Sequence, residues 1–123
     1  MNGKKILVID DSNTNLVLLE SLLEKNGYEV FSALSAKEGL ESMEDNQPDL
    51  IYLDLIMPGI DGMQFIKLMK QNDDWKEIPV VILSAISDSE VIQQGLNLGV
   101  ADYITKPLNI HKIVSLTESL LSN

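Results

Sequence analysis

The chain alternates five times between a short run rich in β-branched and other apolar residues and a longer amphipathic stretch. The short runs lie at residues 6–9, 28–33, 50–53, 79–83 and 102–105, and those at 6–9, 50–53 and 80–83 are continuously apolar. Continuous apolar runs of this length are typical of strands that are buried on both faces of a parallel sheet. The stretches between them carry apolar residues at helical spacing. The pattern therefore predicts an α/β fold, a doubly wound (βα)5 sheet of five parallel strands with helices on both faces.

Residues that favour helix ends mark the amphipathic stretches. Ser35–Glu38 and Ser87–Glu90 have the S-x-x-E form of a capping box, which predicts that helices begin there. We also expect Asp61 and Asn109 to cap the helices that follow them, because their side-chain oxygens can accept from the first free backbone N–H groups.

Composition limits the classes of partner. Lys and Arg number 9 and Asp and Glu 19, so the net charge is −10 at neutral pH. A chain this acidic repels phosphate backbones and anionic lipids, so we expect no direct binding to nucleic acid or to a membrane. The absence of cysteine excludes disulfides, thiolate metal sites and cysteine nucleophiles. Without a membrane-spanning run or a leader pattern, the chain is expected to form one cytoplasmic domain over residues 1–123.

Polar residues follow or end four of the five predicted strands. They are Asp10 and Asp11 at the first strand, Asp54 at the third, Ser84 at the fourth and Lys106 at the fifth. In a doubly wound sheet the carboxyl ends of the strands meet at one edge, which is where such proteins bind ligands. We therefore expect three carboxylates, a hydroxyl and an ammonium group to converge there.

This set of groups suits phosphoryl chemistry. Neighbouring carboxylates repel one another in a poorly solvated crevice, and a hard divalent cation such as Mg2+ relieves the repulsion. A lysine ammonium and a serine hydroxyl are donors for oxyanions, and phosphoryl transfer depends mainly on positioning and charge neutralisation. Asp54 is central and alone at its strand end, so it is the best candidate for a carboxylate nucleophile that forms an acyl phosphate.

These segments are also where the chain resembles a known family, the receiver domains of bacterial response regulators in two-component signalling. The resemblance extends from about residue 4 to residue 121, and the segments that carry it are 8–11, 54–62, 84–85 and 102–107. It implies a flavodoxin-like sheet with strand order 2-1-3-4-5. It also implies that Asp54 accepts a phosphoryl group from the phosphohistidine of a sensor histidine kinase or a histidine phosphotransfer protein.

The resemblance further assigns the ligands of the cation. Asp11 and Asp54 are expected to bind Mg2+ directly, together with the backbone carbonyl of Ile56, and Mn2+ could substitute for Mg2+. Asp10 is expected to act through a water molecule. Lys106 is expected to pair with the phosphoryl oxygens, and the peptide bond before Pro107 is expected to be cis.

The resemblance also implies a switch. Ser84 is expected to move inward and bond a phosphoryl oxygen, and Tyr103 is expected to follow it from an exposed to a buried position. The surface formed by helix 4, strand 5 and helix 5 would then contact a downstream protein or a fused output domain, or form a phosphorylation-dependent homodimer. The sequence is compatible with a stand-alone receiver and with a receiver joined to further domains.

Two other classes fit the fold pattern but not the motifs. An aspartate-nucleophile phosphatase of the haloacid-dehalogenase type carries D-x-D-x-T after its first strand, whereas this chain has Asp10-Asp11-Ser12 there. A flavodoxin-like cofactor carrier needs a phosphate-binding loop at that point, where Asp10 and Asp11 would repel the flavin phosphate. We therefore expect a signalling module rather than an enzyme that acts on outside substrates.

Overall fold

The computed structural model describes residues 3–55 and 61–122 of the chain. Within these residues five strands alternate with five helices. The strands are β1 (Lys5–Ile9), β2 (Glu29–Ala33), β3 (Leu50–Leu53), β4 (Val80–Ser84) and β5 (Asp102–Thr105). The helices are α1 (Asn13–Lys25), α2 (Ala36–Asp45), α3 (Gly62–Lys70), α4 (Ser89–Asn97) and α5 (Ile110–Leu121).

The strands form a single parallel sheet in the order β2-β1-β3-β4-β5. This confirms the predicted fold class and strand order. In the central pair Ile9 lies opposite Leu53, and in the pair β4 and β5 Ser84 lies opposite Thr105. Because these strands end in register, the residues that follow them emerge together at one edge of the sheet.

The helices cover both faces of the sheet. One face packs against α2, α3 and α4, with Ile9, Leu53, Ile82 and Phe65 in its core. The other packs against α1 and α5, with Val8, Leu83, Leu19 and Ile113 in its core. Residues 6–9 and 50–53 are almost fully buried, which explains why those runs are continuously apolar.

The predicted helix starts are confirmed at Ser35, Asp61 and Asn109. Each side chain accepts a hydrogen bond from the backbone N–H three residues later. At Asp61 the bond is reciprocal, because Gln64 Oε1 accepts from the Asp61 N–H. This capping box fixes the beginning of α3 beside the chain that leaves β3.

The predicted start of α4 at Ser87 is wrong by one residue. Asp88 is the N-cap, and its Oδ1 accepts from the Glu90 N–H at 2.8 Å. A carboxylate one residue nearer to the helix thus takes the capping position that the S-x-x-E pattern assigned to the serine. None of the helices in the described part of the chain is long and apolar enough to cross a membrane.

Candidate functional site

Two of the strand-end carboxylates are held by the sheet itself. The backbone N–H of Asp10 donates to Ala33 O at 3.1 Å, and that of Asp54 donates to Ile9 O at 2.9 Å. Both residues therefore continue the hydrogen-bonding ladder by one step beyond β1 and β3. Asp10 is 2% exposed and Asp54 7%, whereas Asp11 is exposed. Two of the three carboxylates at the site are thus nearly buried, and the third, that of Asp11, faces the solvent.

The three acids lie close enough to share one cation. Asp10, Asp11 and Asp54 each offer a carboxylate oxygen, and these oxygens lie within 4.8 Å of one another. Mg2+ binds oxygen ligands octahedrally at about 2.0–2.1 Å, which places ligand oxygens about 3–4 Å apart. The residues present therefore fit Mg2+. The carbonyl of Ile56, the other predicted ligand, lies outside the described residues.

Asp10 accepts hydrogen bonds at both of its carboxylate oxygens. The Ser12 N–H donates to Oδ1 at 2.9 Å. Asn15 Nδ2 and Lys106 Nζ both donate to Oδ2, at 3.2 Å and 3.1 Å. Sequence reasoning did not single out Asn15. The one available signal was its position in the first turn of the helix that follows the acids, which directs its amide towards the strand end.

Lys106 connects two of the carboxylates. Its Nζ lies 3.1 Å from Asp10 Oδ2 and 3.6 Å from Asp54 Oδ2, and its side chain is 19% exposed. The backbone N–H of Lys106 donates to Ser84 O at 2.8 Å, which joins the ends of β4 and β5. The Lys106–Pro107 peptide bond is cis, the isomer that the family resemblance implies.

Ser84 and Tyr103 meet at the backbone of Ile86. Ser84 is fully buried, and its Oγ accepts from the Ile86 N–H at 3.1 Å. Tyr103 is also buried, and its hydroxyl donates to Ile86 O at 2.7 Å. A movement of Ser84 that breaks its bond to Ile86 therefore also affects the segment to which the Tyr103 hydroxyl is bonded.

A further buried hydroxyl, that of Tyr52, lies between β3 and α5. Tyr52 precedes Asp54 by two residues on β3, is fully buried, and hydrogen-bonds with Thr117 Oγ1 on α5. Burial raises the pKa of Tyr52 to about 12 from its ordinary value of 10.0, because the interior disfavours the charged phenolate. The group therefore stays protonated well beyond neutral pH.

Comparison with known proteins identifies the family of the chain. The family model of the response regulator receiver domain matches residues 6–118, which include all five strands from Ile6 onwards. The chain belongs to this family. A receiver domain is a signalling module of two-component systems. In this chain the acid cluster at the edge of the sheet is the candidate site for that role.

Curated relatives span the receiver domain alone and longer proteins that contain it. Sporulation initiation phosphotransferase F of Bacillus subtilis is 34% identical over 92% of this chain and 90% of its own length. The polar-differentiation response regulator DivK of Brucella anthropi is 30% identical over 98% of each chain. The alkaline phosphatase synthesis transcriptional regulatory protein PhoP of B. subtilis is 36% identical, and the chain spans about half of it, 49%.

Solved structures give the same result for the fold. The chemotaxis protein CheY4 of Vibrio cholerae is 27% identical, with a TM-score of 0.90 over 97% of this receiver domain and 99% of that chain. The receiver domain of the Francisella response regulator 1452 is 32% identical, with a TM-score of 0.88 over 96% of each chain. The backbone of the receiver fold is thus shared over almost the whole chain.

Proposed function

We propose that residues 1–123 act as one receiver domain whose Asp54 accepts a phosphoryl group from a phosphohistidine. The donor is a sensor histidine kinase or a histidine phosphotransfer protein. The observation that carries the proposal is the position of Asp54 at the end of the central strand, where Lys106 Nζ lies 3.6 Å from its Oδ2. Two further carboxylates lie within reach of the same cation.

The transfer is a displacement at phosphorus. A carboxylate oxygen of Asp54 forms the new P–O bond, the P–N bond to the donor imidazole breaks, and the imidazole nitrogen keeps the electron pair. The product on this chain is an acyl phosphate. Asp54 is suited to this role because its backbone is fixed by the Ile9 carbonyl and its side chain is nearly buried.

Asp11 and Asp54 would hold Mg2+ directly, together with the carbonyl of Ile56. Asp10 would act through water, since both of its oxygens already accept hydrogen bonds from the protein. When bound, Mg2+ or Mn2+ supplies positive charge against the charge that develops on the phosphoryl oxygens. The same positive charge would also reduce the repulsion among the three carboxylates, whose oxygens lie within 4.8 Å of one another.

Two donors of the chain would respond to the phosphoryl group. Lys106 would move from Asp10 to a phosphoryl oxygen, and the Ser84 hydroxyl would turn away from Ile86 to do the same. Both bonds exist only when the group is present, so they favour one of two conformations of the loop after β4. The hydrogen bond from Tyr103 to Ile86 O connects this loop to β5.

The α4–β5–α5 surface would carry the output. It would contact a downstream protein or a fused output domain, or form a phosphorylation-dependent homodimer. The role is therefore that of a signalling module, whose only chemistry is its own phosphorylation and dephosphorylation.

The test is phosphorylation by acetyl phosphate in the presence of Mg2+, followed by intact mass. The wild type is expected to gain one phosphate adduct, and Asp54→Asn is expected to gain none. Asp61→Asn is the matched control, because it makes the same carboxylate-to-amide change at an exposed helix cap, where asparagine also caps well. An unmodified wild type, or an equal adduct on Asp54→Asn, would disprove the proposal.

A further inference from the structure

The Oδ2 atom of Asp10 has two side-chain donors. Asn15 Nδ2 lies 3.2 Å from it and Lys106 Nζ 3.1 Å. The two donors differ in what else they can reach, because Lys106 Nζ is also 3.6 Å from Asp54 Oδ2. Any new acceptor on Asp54 therefore attracts one donor of Asp10, while the other remains.

Asp10 cannot lose a donor without cost. Asp10 is 2% exposed, so bulk water does not readily replace a hydrogen bond that its carboxylate loses, and the one water expected between Asp10 and the cation is held by the cation. A buried carboxylate oxygen without a donor is unfavourable, and more so than a neutral polar atom in the same place. The cost of moving Lys106 therefore depends on whether Oδ2 keeps another hydrogen bond.

We infer that Asn15 is a positioning residue that keeps Asp10 hydrogen-bonded while Lys106 transfers to the phosphoryl group on Asp54. The inference rests on the proposed function and adds a residue to it. Asn15 acts through Asp10 and Lys106 and does not touch the reacting atoms. Its amide lowers the cost of the transfer, because Asp10 Oδ2 has a donor before and after Lys106 moves.

The local fold prepares Asn15 for this role. Ser12 caps α1, and the Asn15 backbone N–H donates to Ser12 Oγ at 3.3 Å. The Ser12 N–H donates to Asp10 Oδ1, so one turn of chain ties Asp10, Ser12 and Asn15 together. The amide nitrogen of Asn15 must face the carboxylate, because its oxygen would be repelled by Asp10.

Two substitutions separate this role from a general disturbance of the site. Asn15→Ala removes the donor without adding charge, and the first turn of the helix tolerates alanine. Asn15→Asp keeps the size and replaces the donor by an acceptor, and a carboxylate is favourable near a helix N-terminus. Asn13→Ala is the matched control, because Asn13 is exposed at the first position of the same helix.

Two quantities are measured for each protein. The first is Mg2+ affinity, from calorimetric titration with MgCl2 alone. The second is the initial rate of phosphorylation by acetyl phosphate at saturating Mg2+. For Asn15→Ala we expect the rate to fall about tenfold, the effect of one lost charge-assisted hydrogen bond. Its Mg2+ affinity should stay within about twofold, because a neutral amide adds little to the Coulomb attraction for a cation.

Asn15→Asp should give a different combination. A fourth carboxylate should raise Mg2+ affinity about threefold or more, since it adds to the attraction for the cation. The rate should fall at least as far as in Asn15→Ala, because the added charge holds Lys106 away from Asp54. Asn13→Ala should match the wild type in both measurements.

The outcomes distinguish this inference from the proposed function. A wild type that is not phosphorylated counts against the proposed function itself. A phosphorylated wild type with an equally fast Asn15→Ala overturns the inference alone. A parallel loss of Mg2+ affinity and rate in Asn15→Ala also overturns it, because that result assigns Asn15 a structural role in the acid cluster.

Discussion

Tyr52 carries a hydroxyl group into the interior between β3 and α5. It hydrogen-bonds with Thr117, and Thr117 Oγ1 in turn donates to Ile113 O at 2.7 Å. The neutral hydroxyl is thus well accommodated, while a phenolate would lie in an apolar interior that has few donors. This difference is the reason that burial raises the pKa of Tyr52 to about 12.

The raised pKa predicts a specific loss of stability in alkali. Above the ordinary pKa of 10.0 the unfolded chain releases the Tyr52 proton, while the folded chain keeps it up to about 12. The unfolded state then binds fewer protons, so this contribution is complete below pH 10 and is lost as the pH rises through 12. Two pKa units correspond to about 3 kcal/mol, half of which is lost by about pH 11.

Urea unfolding of the wild type and Tyr52→Phe at pH 8 and pH 11 measures this effect. At pH 8 the variant should be about 1 kcal/mol less stable, because it lacks one buried hydrogen bond. Between the two pH values the wild type should lose about 1 kcal/mol more than the variant. All other side chains are the same in the two proteins, so their effects cancel in the comparison. Equal losses in the two proteins would show that Tyr52 does not cause the effect.

Sequence and structure agree best for residues whose position follows from strand ends. Asp10, Asp54 and Lys106 could be placed together because parallel strands deliver their next residues to one edge. Asn15 could not be foreseen as a partner of Asp10, since their contact depends on how the chain turns into α1. The hydrogen bond of Tyr52 could not be foreseen either. In the sequence Tyr52 looks like one more apolar strand residue, and its partner Thr117 is 65 residues away.

At the scale of elements, the beginning of α3 lies directly against the end of β3. A Cβ atom built on Gly62 would lie 2.7 Å from Leu55 Cα and 3.0 Å from Asp54 O, both backbone atoms. On α4, a Cβ atom on Gly95 would lie 2.9 Å from Ile82 Cδ1, the end of a flexible side chain. The two helices therefore approach the sheet closely, but of the two only α3 does so against the backbone of Asp54 and Leu55.

Gly62→Ala should consequently affect the site, and Gly95→Ala should not. In Gly62→Ala the chain around Asp54 has to shift, which costs about 1–3 kcal/mol of unfolding free energy and lowers the rate of phosphorylation. In Gly95→Ala the Ile82 methyl can move, and alanine gains about 0.5–1 kcal/mol over glycine inside a helix. Urea unfolding and phosphorylation by acetyl phosphate compare the two. If both variants behave alike, closeness to the Asp54 backbone is not the deciding factor.

Element boundaries show where sequence patterns lose precision. The apolar pattern predicts that the fourth strand begins at Pro79, but β4 begins at Val80, because proline has no N–H for the ladder. The helix start at Ser35 is confirmed, whereas that at Ser87 is wrong because Asp88 competes for the same role. The order and type of the elements depend on long apolar patterns, while their ends depend on single hydrogen bonds.

For the whole molecule, Mg2+ binding at the acid cluster would link stability to the concentration of the cation. A net charge of −10 and three clustered carboxylates both oppose folding, and Mg2+ that binds only the folded site would relieve part of this repulsion. At free Mg2+ of about a hundred times its dissociation constant, the free energy of unfolding should rise by about 2.7 kcal/mol. The melting temperature should rise accordingly.

Thermal unfolding in MgCl2 and in KCl of equal ionic strength tests this link. KCl screens the net charge in general, so only the additional rise in MgCl2 reports the site. Asp11→Asn should lose most of that additional rise, because it removes the exposed carboxylate of the cluster. The same melting temperature in both salts would argue against a specific cation site.

The strand order also divides the candidate site between two parts of the chain. The carboxylates follow β1 and β3, within the first 54 residues, while Ser84 and Lys106 belong to β4 and the end of β5. The contact between Lys106 Nζ and Asp54 Oδ2, at 3.6 Å, closes a loop of about fifty residues between these two parts. The enclosed segment contains α3, β4, α4 and β5. The candidate site therefore ties together two parts of the chain that are far apart in the sequence, so any change at Lys106 also affects how the segment with α4 is held at its ends.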